Sequence, residues 1–277
     1  MHRVELPDGT TVPAIGQGTW MMGGARERQR EIRAIQAGID LGLTLIDTAE
    51  MYGDGDAEDM VGEAIKGRRD ACFLVSKVLP SNARRDAVIR SCETSLGRMG
   101  VETLDLYLLH WRGATPLAET LGAFQDLLAA GKIRRWGVSN FDLDDMQDLL
   151  ALPGGDACAT NQILYNPDQR GPEFDLLPWQ AERRIPTMAY SPVGQGGRLL
   201  KSPALAAVAR RHGVSTARVA LAWAIRAGDV IAIPKASSLE HVSDNAAAAD
   251  LVLTPDDLAE IEARHPAPRR KQPLAMI

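Results

Sequence analysis

The sequence predicts a (β/α)₈ barrel that forms a single domain over residues 1–277, with a β-hairpin before it and two extra helices. Three observations support this prediction. Eight short apolar runs recur along the chain, each followed by a helical pattern, which implies parallel strands joined by crossover helices. Alternating residues precede the first run. The length of 277 residues accommodates eight such units and favours a closed barrel over an open sheet.

The start of the chain predicts a short β-hairpin. Val4 and Leu6, and then Val12 and Ala14, lie on either side of the segment Pro7-Asp8-Gly9. Proline, aspartate and glycine in succession are typical of a tight turn. We therefore expect two short antiparallel strands before the barrel begins.

The apolar runs predict the eight barrel strands. Each run is short and is separated from the next by a longer segment with helical periodicity. The predicted strands are 15–18, 43–47, 72–77, 104–110, 133–139, 158–162, 187–191 and 230–234.

The intervening segments predict the helices. In one of them Val88, Cys92 and Leu96 recur at helical spacing, and Gly100 lies at its end, where glycine is common. The predicted helices are 28–41, 57–67, 82–99, 116–131, 142–151, 173–184, 202–212 and 238–249, and the extra ones are 215–227 and 255–264.

Composition indicates an ordinary globular protein. Apolar residues make up 45% of the chain, and the formal net charge is −5. Nucleic acids and anionic membranes favour clustered Lys and Arg, so we expect neither as a partner. No signal peptide or apolar run long enough to cross a bilayer is evident. Three cysteines without metal-ligand spacing favour a reducing compartment. We therefore expect a cytoplasmic protein, and we also expect a monomer.

Polar or titratable side chains end seven of the eight runs. In a barrel of this class, chemistry takes place at the carboxyl ends of the strands. One such residue alone is typically a helix cap or a structural group, but seven that meet at one barrel mouth indicate a site. These residues are Asp47 and Thr48, Lys77, His110, Ser139 and Asn140, Asn161 and Gln162, Tyr190 and Ser191, and Lys235, with Tyr52 in the loop after Asp47.

These strand ends resemble the motifs of the aldo-keto reductase superfamily over essentially the whole chain. The family also closes its barrel bottom with an N-terminal hairpin. The segment 265–268 (HPAP), and Tyr165 after Asn161-Gln162, resemble bacterial members related to methylglyoxal reductase and 2,5-diketogluconate reductase. The matching segments are 16–20 (GQGTW), 47–53 (DTAEMYG), 75–77 (VSK), 108–111 (LLHW), 137–141 (GVSNF), 161–162 (NQ), 189–192 (AYSP) and 233–235 (IPK).

The resemblance implies an NADPH-dependent reductase that converts small aldehydes and ketones, such as methylglyoxal-like 2-oxoaldehydes, to alcohols by hydride transfer. Hydride addition places negative charge on the carbonyl oxygen, which then needs a proton donor and a polarising group. We expect Tyr52 to be the general acid and Lys77 to lower its pKa, because a nearby ammonium stabilises phenolate. Asp47 would orient Lys77, and His110 would bind the carbonyl.

The cofactor is expected to lie across the barrel mouth. A Rossmann fold is disfavoured, because no complete G-x-G-x-x-G motif follows a strand. The resemblance implies that Ser139, Asn140 and Gln162 bind the nicotinamide carboxamide, that Tyr190 stacks on its ring, and that the Gly-rich loop 191–198 covers the pyrophosphate. The predicted cofactor-binding residues are Gly18, Thr19, Trp20, Asp47, Ser139, Asn140, Gln162, Tyr190, Ser191, Pro192, Val193, Gly194, Gln195, Gly196, Arg198, Lys235, Ala236, Ser237, His241, Asp244 and Asn245.

The adenosine end departs from the family pattern. Ala236 lacks the hydroxyl usual there, and His241 replaces the arginine that usually binds the 2′-phosphate. Arginine is permanently charged, whereas histidine is only partly charged near neutral pH. Lys235 is retained as a phosphate ligand. We therefore expect NADPH as the cofactor, with NADH use also possible.

The substrate pocket is predicted to be lined by Trp20, Tyr52, His110 and Trp111, with Trp179 as a further candidate. Only residues 265–277 follow the last predicted helix. We therefore expect an open site with broad aldehyde specificity.

Two other functions are compatible with parts of this pattern. A redox sensor could keep the fold and the cofactor, and turnover of NADPH with small aldehydes distinguishes it from an enzyme. A metal-dependent barrel isomerase or hydrolase needs several carboxylates or histidines at the strand ends. Asp47 and His110 are too few, and Lys77 would repel a cation, so we predict no metal.

Overall fold

The N-terminal hairpin is present in the computed structural model, which describes residues 2–277. Strand β1 (Arg3–Glu5) pairs antiparallel with β2 (Thr11–Pro13). The turn between them has a positive φ of 83° at Gly9, where glycine is favoured. An ion pair of 2.6 Å joins Asp8 of this turn to Arg135, which directly precedes a barrel strand, so the hairpin lies at the amino ends of the strands.

Eight parallel strands form the barrel in chain order. The first and last of them are joined by hydrogen bonds from Gly16 N–H to Ala232 O and from Ala232 N–H to Ala14 O, each 2.8 Å long. The strands are β3 (Gln17–Gly18), β4 (Leu45–Asp47), β5 (Phe73–Val78), β6 (Leu106–Leu109), β7 (Trp136–Ser139), β8 (Asn161–Leu164), β9 (Thr187–Tyr190) and β10 (Val230–Ala232).

Most strands are shorter than the predicted runs, whereas β5 is as long as its run and β8 ends two residues later than predicted. Polar residues that follow the shorter strands are still bound to the sheet. Thr48 N–H donates to Val75 O, and His110 N–H donates to Val78 O, both at 2.9 Å. The backbone of these two residues is therefore fixed to a neighbouring strand although each lies one position beyond its own. These backbone hydrogen bonds hold the side chains of Thr48 and His110 in fixed positions at the barrel mouth.

The helices cover the outside of the barrel. The strands are buried on both faces, which is typical of parallel sheets. The helices are α1 (Arg28–Asp40), α2 (Asp56–Ala64), α3 (Arg85–Met99), α4 (Leu117–Ala129), α5 (Leu143–Leu150), α6 (Leu176–Glu182), α7 (Pro203–His212), α8 (Thr216–Ala224), α9 (Leu239–Ala247) and α10 (Pro255–Arg264).

Two helices are extra to the repeating unit, as predicted, but one of them differs from the predicted pair. Helix α7 packs against α10, whereas α8 packs against α9 and β10. The reason is the apolar surface of α8, whose residues from Val219 to Ala224 are all buried. The segment 215–227 thus contributes α8 to the helices that surround the barrel. Helix α7 is instead one of the two extra helices.

The helices are too short or too polar to span a membrane. Within residues 2–277, none combines the length and the apolar character that crossing a bilayer requires.

Candidate active site

A cavity of about 610 Å³ opens where the barrel strands end. Most of the residues predicted to bind cofactor or substrate line it, although they come from every part of the chain. These residues are Gly18, Trp20, Asp47, Tyr52, His110, Trp111, Ser139, Asn140, Gln162, Tyr190, Ser191, Pro192, Val193, Gln195, Gly196, Lys235, His241, Asp244 and Asn245.

Lys77 lies behind this wall, at the end of β5, and its side chain is completely buried. Its ammonium donates to Asp47 Oδ2 at 2.8 Å, to Thr48 O at 2.7 Å and to Tyr52 Oη at 3.2 Å. Burial by itself lowers the pKa of Lys77, but Asp47 and Tyr52 raise this pKa by more than burial lowers it. The pKa of Lys77 therefore lies above its ordinary value. The side chain is therefore a fixed cation with three acceptors.

Asp47 is held from two sides. One carboxylate oxygen accepts from Lys77, and the other accepts from Gln162 Nε2 at 2.7 Å. The same Gln162 amide nitrogen lies 2.9 Å from Met188 Sδ. Only the Oε1 atom of Gln162 is then left to meet a cofactor amide.

Tyr52 belongs to a short 3₁₀ turn, Tyr52–Gly55, that follows β4. Burial raises the pKa of its phenol, and the nearby Lys77 lowers it only in part, so the net shift is upward. The effect of Lys77 has the direction expected from sequence, but desolvation outweighs it. Tyr52 is consequently protonated at neutral pH and can donate a proton.

His110 lines the cavity beside Tyr52, and the centroids of the two rings are 5.9 Å apart in an edge-on contact. Burial, and then the charge of Lys77, lower the pKa of His110 to about 3. The imidazole is therefore neutral at any working pH. Its Nδ1 is buried and has no hydrogen-bond partner within residues 2–277. A neutral ring with an unpaired nitrogen is suited to bind a polar group of a ligand.

A polar network continues along the ends of β7 to β9. Tyr190 Oη donates to Asn140 Oδ1 at 2.8 Å, and Asn140 Nδ2 donates to His110 O at 3.1 Å. Ser139 Oγ donates to Gln162 O at 2.8 Å. Asn140 has a φ of 58°, in the left-handed region where asparagine is tolerated. The network fixes the orientation of the groups expected around the nicotinamide.

The Gly-rich loop after β9 is tightly turned. Gly194, Gln195 and Gly196 all have positive φ, at 59°, 57° and 71°. The N–H groups of Gly194, Gly196 and Gly197 are already bonded to carbonyls within the loop. Binding of the pyrophosphate, which this loop is expected to cover, through these three amides would therefore require the loop to rearrange.

Buried hydrogen bonds anchor the end of this loop. Ser202 Oγ shares a hydrogen bond of 2.8 Å with His265 Nε2, and His265 Nδ1 lies 2.8 Å from Asp168 Oδ1. Arg198 of the loop also approaches Asp168, at 3.5 Å. Since Ser202 is only 5% exposed, this serine–histidine–aspartate chain is out of reach of a substrate and serves to hold the loop.

The residues predicted to bind the adenosine end of the cofactor include Lys235, His241, Asp244 and Asn245, and all four line the cavity. Lys235 and His241 are exposed, as phosphate ligands should be. Sequence reasoning did not single out Arg218, which lies outside the cavity lining but pairs through its Nη2 with Asp244 Oδ1 at 2.7 Å. Arg218 lies in the first turn of α8, and only the packing of α8 against α9 brings this cation to the site.

Several predicted residues do not line the cavity. Thr19 is buried and donates to Asp47 O at 3.0 Å, and Ala236 packs in the core. Gly194, Arg198 and Ser237 also lie outside the wall.

The expectation for Trp179 is wrong. Trp179 lies on α6, packs partly buried against the core and stacks on Arg183, whose guanidinium carbon is 4.1 Å from the ring centroid. It is absent from the lining of the cavity. Its apolar area serves helix packing.

The end of the chain is closer to the site than expected. Met276 and Ile277 line the cavity, together with Met21 and Met51, none of which sequence reasoning assigned to the pocket. Lys271 pairs with Asp142 at 2.5 Å and with Asp175 at 3.0 Å, which holds the tail in place. The last two residues of the chain thus contribute to the cavity wall, which the expectation of an open site did not include.

The strand ends do not form a metal-ligating cluster. Among the described residues 2–277, no group of three His, Cys, Asp or Glu side chains could hold a metal ion.

Comparisons with known proteins place this geometry in a family. The profile described as "Aldo/keto reductase family" matches residues 14–265. The methylglyoxal reductase YeaE of Escherichia coli is 51% identical over 279 residues, which cover 99% of this chain and 98% of that protein. A crystal structure of an aldo-keto reductase from Klebsiella pneumoniae in complex with NADPH superposes with a TM-score of 0.98 at 51% identity, covering 100% of this chain and 99% of that one. The chain belongs to the aldo/keto reductase family.

Proposed function

We propose that this protein uses NADPH to reduce small aldehydes and ketones, with 2-oxoaldehydes such as methylglyoxal as the substrate class. The observation that carries the proposal is the contact of a protonated Tyr52 with the buried Lys77–Asp47 pair, beside a neutral His110. The relative named methylglyoxal reductase and the neighbouring structure that contains NADPH support the substrate and the cofactor.

The residues present fit a nicotinamide dinucleotide. Tyr190 and Asn140 line the same cavity as Lys235 and His241. An aromatic ring with amide groups beside it suits a nicotinamide, and two basic side chains suit a phosphate. We propose that those of the predicted cofactor-binding residues that line the cavity bind the cofactor.

The catalytic roles follow from the protonation states. When bound, NADPH supplies the hydride. His110 donates a hydrogen bond to the carbonyl oxygen, and Tyr52 delivers a proton to that oxygen as negative charge develops on it. Lys77 then stabilises the phenolate that remains, because its ammonium lies 3.2 Å from Tyr52 Oη. Asp47 keeps Lys77 charged and in place, and touches it through Oδ2.

The apolar side chains that line the cavity indicate the kind of substrate that it accepts. Trp20, Met21 and Met51 are exposed large apolar side chains that line the cavity, and Trp111 lies against His110 with ring centroids 5.0 Å apart. Apolar walls with few polar groups favour compact, weakly polar carbonyl compounds.

Steady-state turnover tests the proposal. We expect the purified protein to consume NADPH when small 2-oxoaldehydes, aldehydes and ketones are added, and to form the corresponding alcohols. A protein that binds NADPH tightly but turns over none of these carbonyl compounds would instead be a redox sensor, and the proposal would be wrong.

Replacement of His241 by Arg is expected to raise the preference for NADPH over NADH. A guanidinium offers the 2′-phosphate a permanent charge and two donors, whereas an imidazole offers a partial charge and one donor. The gain in free energy that favours NADPH over NADH should be smaller than that of a complete charge-assisted hydrogen bond, which is about 1.5–3 kcal/mol. The measurement is the ratio of kcat/KM for the two cofactors between pH 6 and 8.

The wild-type protein, measured over the same range, is the reference for this comparison. If the two proteins show the same ratio across the range, His241 does not face the 2′-phosphate. Arg218 or Lys235 would then carry the selectivity.

We further propose that the protein works as a monomer in the cytoplasm, without nucleic acid as a partner. The net charge of −5 supports the last point. The three cysteines are free and buried, which suits a reducing compartment.

A further inference from the structure

The loop that carries Tyr52 is tied to a buried ion pair on the outside of the barrel. Glu58, in the first turn of α2, is completely buried, and its carboxylate accepts from Arg98 Nη1 at 3.1 Å. The other carboxylate oxygen accepts from Ser76 Oγ at 2.6 Å. Ser76 directly precedes Lys77 in β5, so Glu58 connects the helix that follows the Tyr52 loop to the strand of Lys77.

Arg98 uses its remaining donors on the backbone of that loop. Its Nη1 lies 3.5 Å from Glu50 O, and its Nη2 donates to Asp54 O at 3.1 Å. These two carbonyls lie on either side of Tyr52. The guanidinium thus holds the loop at both ends of the residue that we assign as proton donor.

The conformation of the loop depends on this contact. Gly53, Asp54 and Gly55 all have positive φ, at 59°, 53° and 102°. Glycine adopts this conformation freely, and of the three only Asp54 is a residue for which it is uncommon. A Cβ on Gly55 would clash with Arg98 Cζ, so the guanidinium fills the space beside this glycine. Arg98 and the turn are therefore shaped to each other.

The charges suit their places in the helices. Arg98 lies in the last turn of α3, where a cation is favoured by the helix dipole, and Glu58 lies in the first turn of α2, where an anion is favoured. Because Glu58 is buried, loss of its partner would leave an uncompensated charge. The buried Glu58–Arg98 pair thus anchors the loop that carries Tyr52.

We propose that Arg98, held by Glu58, is a positioning residue for Tyr52: it keeps the phenol within hydrogen-bond distance of Lys77 Nζ. Arg98 itself does not touch the reacting atoms. The proposal rests on the proposed role of Tyr52 as general acid. Displacement of a catalytic group by about 1 Å costs up to 10²-fold in rate, so a loosened loop should lower kcat while leaving the cofactor site intact.

The test uses Arg98→Ala and Arg98→Lys in the full-length protein, with Arg85→Ala as the matched control. Arg85 lies at the opposite end of the same helix and makes an exposed ion pair of 2.6 Å with Asp126. We expect Arg98→Ala to lower kcat about tenfold or more, with KM and the Kd for NADPH unchanged. Arg85→Ala should leave all three near wild type.

Arg98→Lys separates charge compensation from positioning. An ammonium can neutralise Glu58, but it lacks the rigid fork that reaches both carbonyls. We expect this variant to keep the Tm of the wild type and still lose kcat. A wild-type kcat in Arg98→Lys would show that the ion pair alone suffices and would overturn the proposal.

The dependence on Tyr52 is tested by combining Arg98→Lys with Tyr52→Phe. If Arg98 acts through the phenol, the double variant should be no slower than Tyr52→Phe alone, because the two changes remove the same contribution. If Arg98→Lys lowers kcat by the same factor in the Tyr52→Phe variant as in the wild type, the positioning role is overturned. The proposed function itself fails differently, by wild-type-like turnover in Tyr52→Phe.

Discussion

Substitution of Tyr52 by Phe is expected to remove nearly all carbonyl reduction while NADPH still binds with near-wild-type affinity. The ring keeps its place against His110, but the proton donor is lost, and general acid catalysis contributes about 10²-fold or more. We expect kcat to fall by about that factor. Steady-state turnover with a 2-oxoaldehyde, together with direct titration of NADPH binding, measures both effects.

The matched control is Tyr107→Phe, which removes the hydroxyl of a buried tyrosine on β6 that lies outside the cavity. It should leave kcat unchanged. Wild-type-like turnover in Tyr52→Phe would contradict the assignment of the general acid.

The pH dependence of the wild type gives an independent check on Tyr52. Burial raises the pKa of Tyr52, and the pKa of His110 is about 3, so neither group changes protonation between about pH 5 and 9. Reduction should therefore show no titration in this range when NADPH is saturating, and should decline only as Tyr52 deprotonates at strongly alkaline pH. A sharp transition in kcat near neutral pH would contradict this.

Substitution of Lys77 by Met is expected to cost the most stability of any single change in the site. The ammonium is completely buried and compensates Asp47, which is 3% exposed. Removal of one partner of a buried ion pair leaves the other charge unpaired and typically costs about 3–5 kcal/mol. We expect a loss of this size in the free energy of unfolding, measured by denaturant titration, together with loss of catalysis.

The double variant Asp47→Asn with Lys77→Met separates charge from packing. Replacement of both charges of a buried pair is often close to neutral for stability. We therefore expect the double variant to be more stable than Lys77→Met alone while remaining inactive. If the second substitution lowers stability further, the unpaired carboxylate is not the cause of the loss.

Much of the fold could be predicted because its signals are local. The apolar runs, the helical spacing between them and the turn residues before Thr10 each depend on neighbours in sequence, and the barrel with its hairpin is confirmed. Periodicity places the extra helix at 215–227 instead of at α7, because it shows that a helix is amphipathic or apolar but not which surface the helix covers.

The residue types of the site were also visible in sequence, since each follows directly after an apolar run. The resemblance built on those motifs is confirmed by the family match over residues 14–265. The individual roles of the residues remain predictions that the variants above test.

What the amino-acid sequence by itself determined is the barrel, the family and the chemical groups at the mouth. What only the tertiary structure decided are quantities set by residues far apart in the chain. The pKa of Tyr52 rises despite Lys77 because desolvation depends on everything packed around the phenol. Trp179 packs on Arg183, whereas Met276 and Ile277 line the cavity. The surface that an apolar side chain covers depends on which residues lie near it in space, and the sequence does not show this.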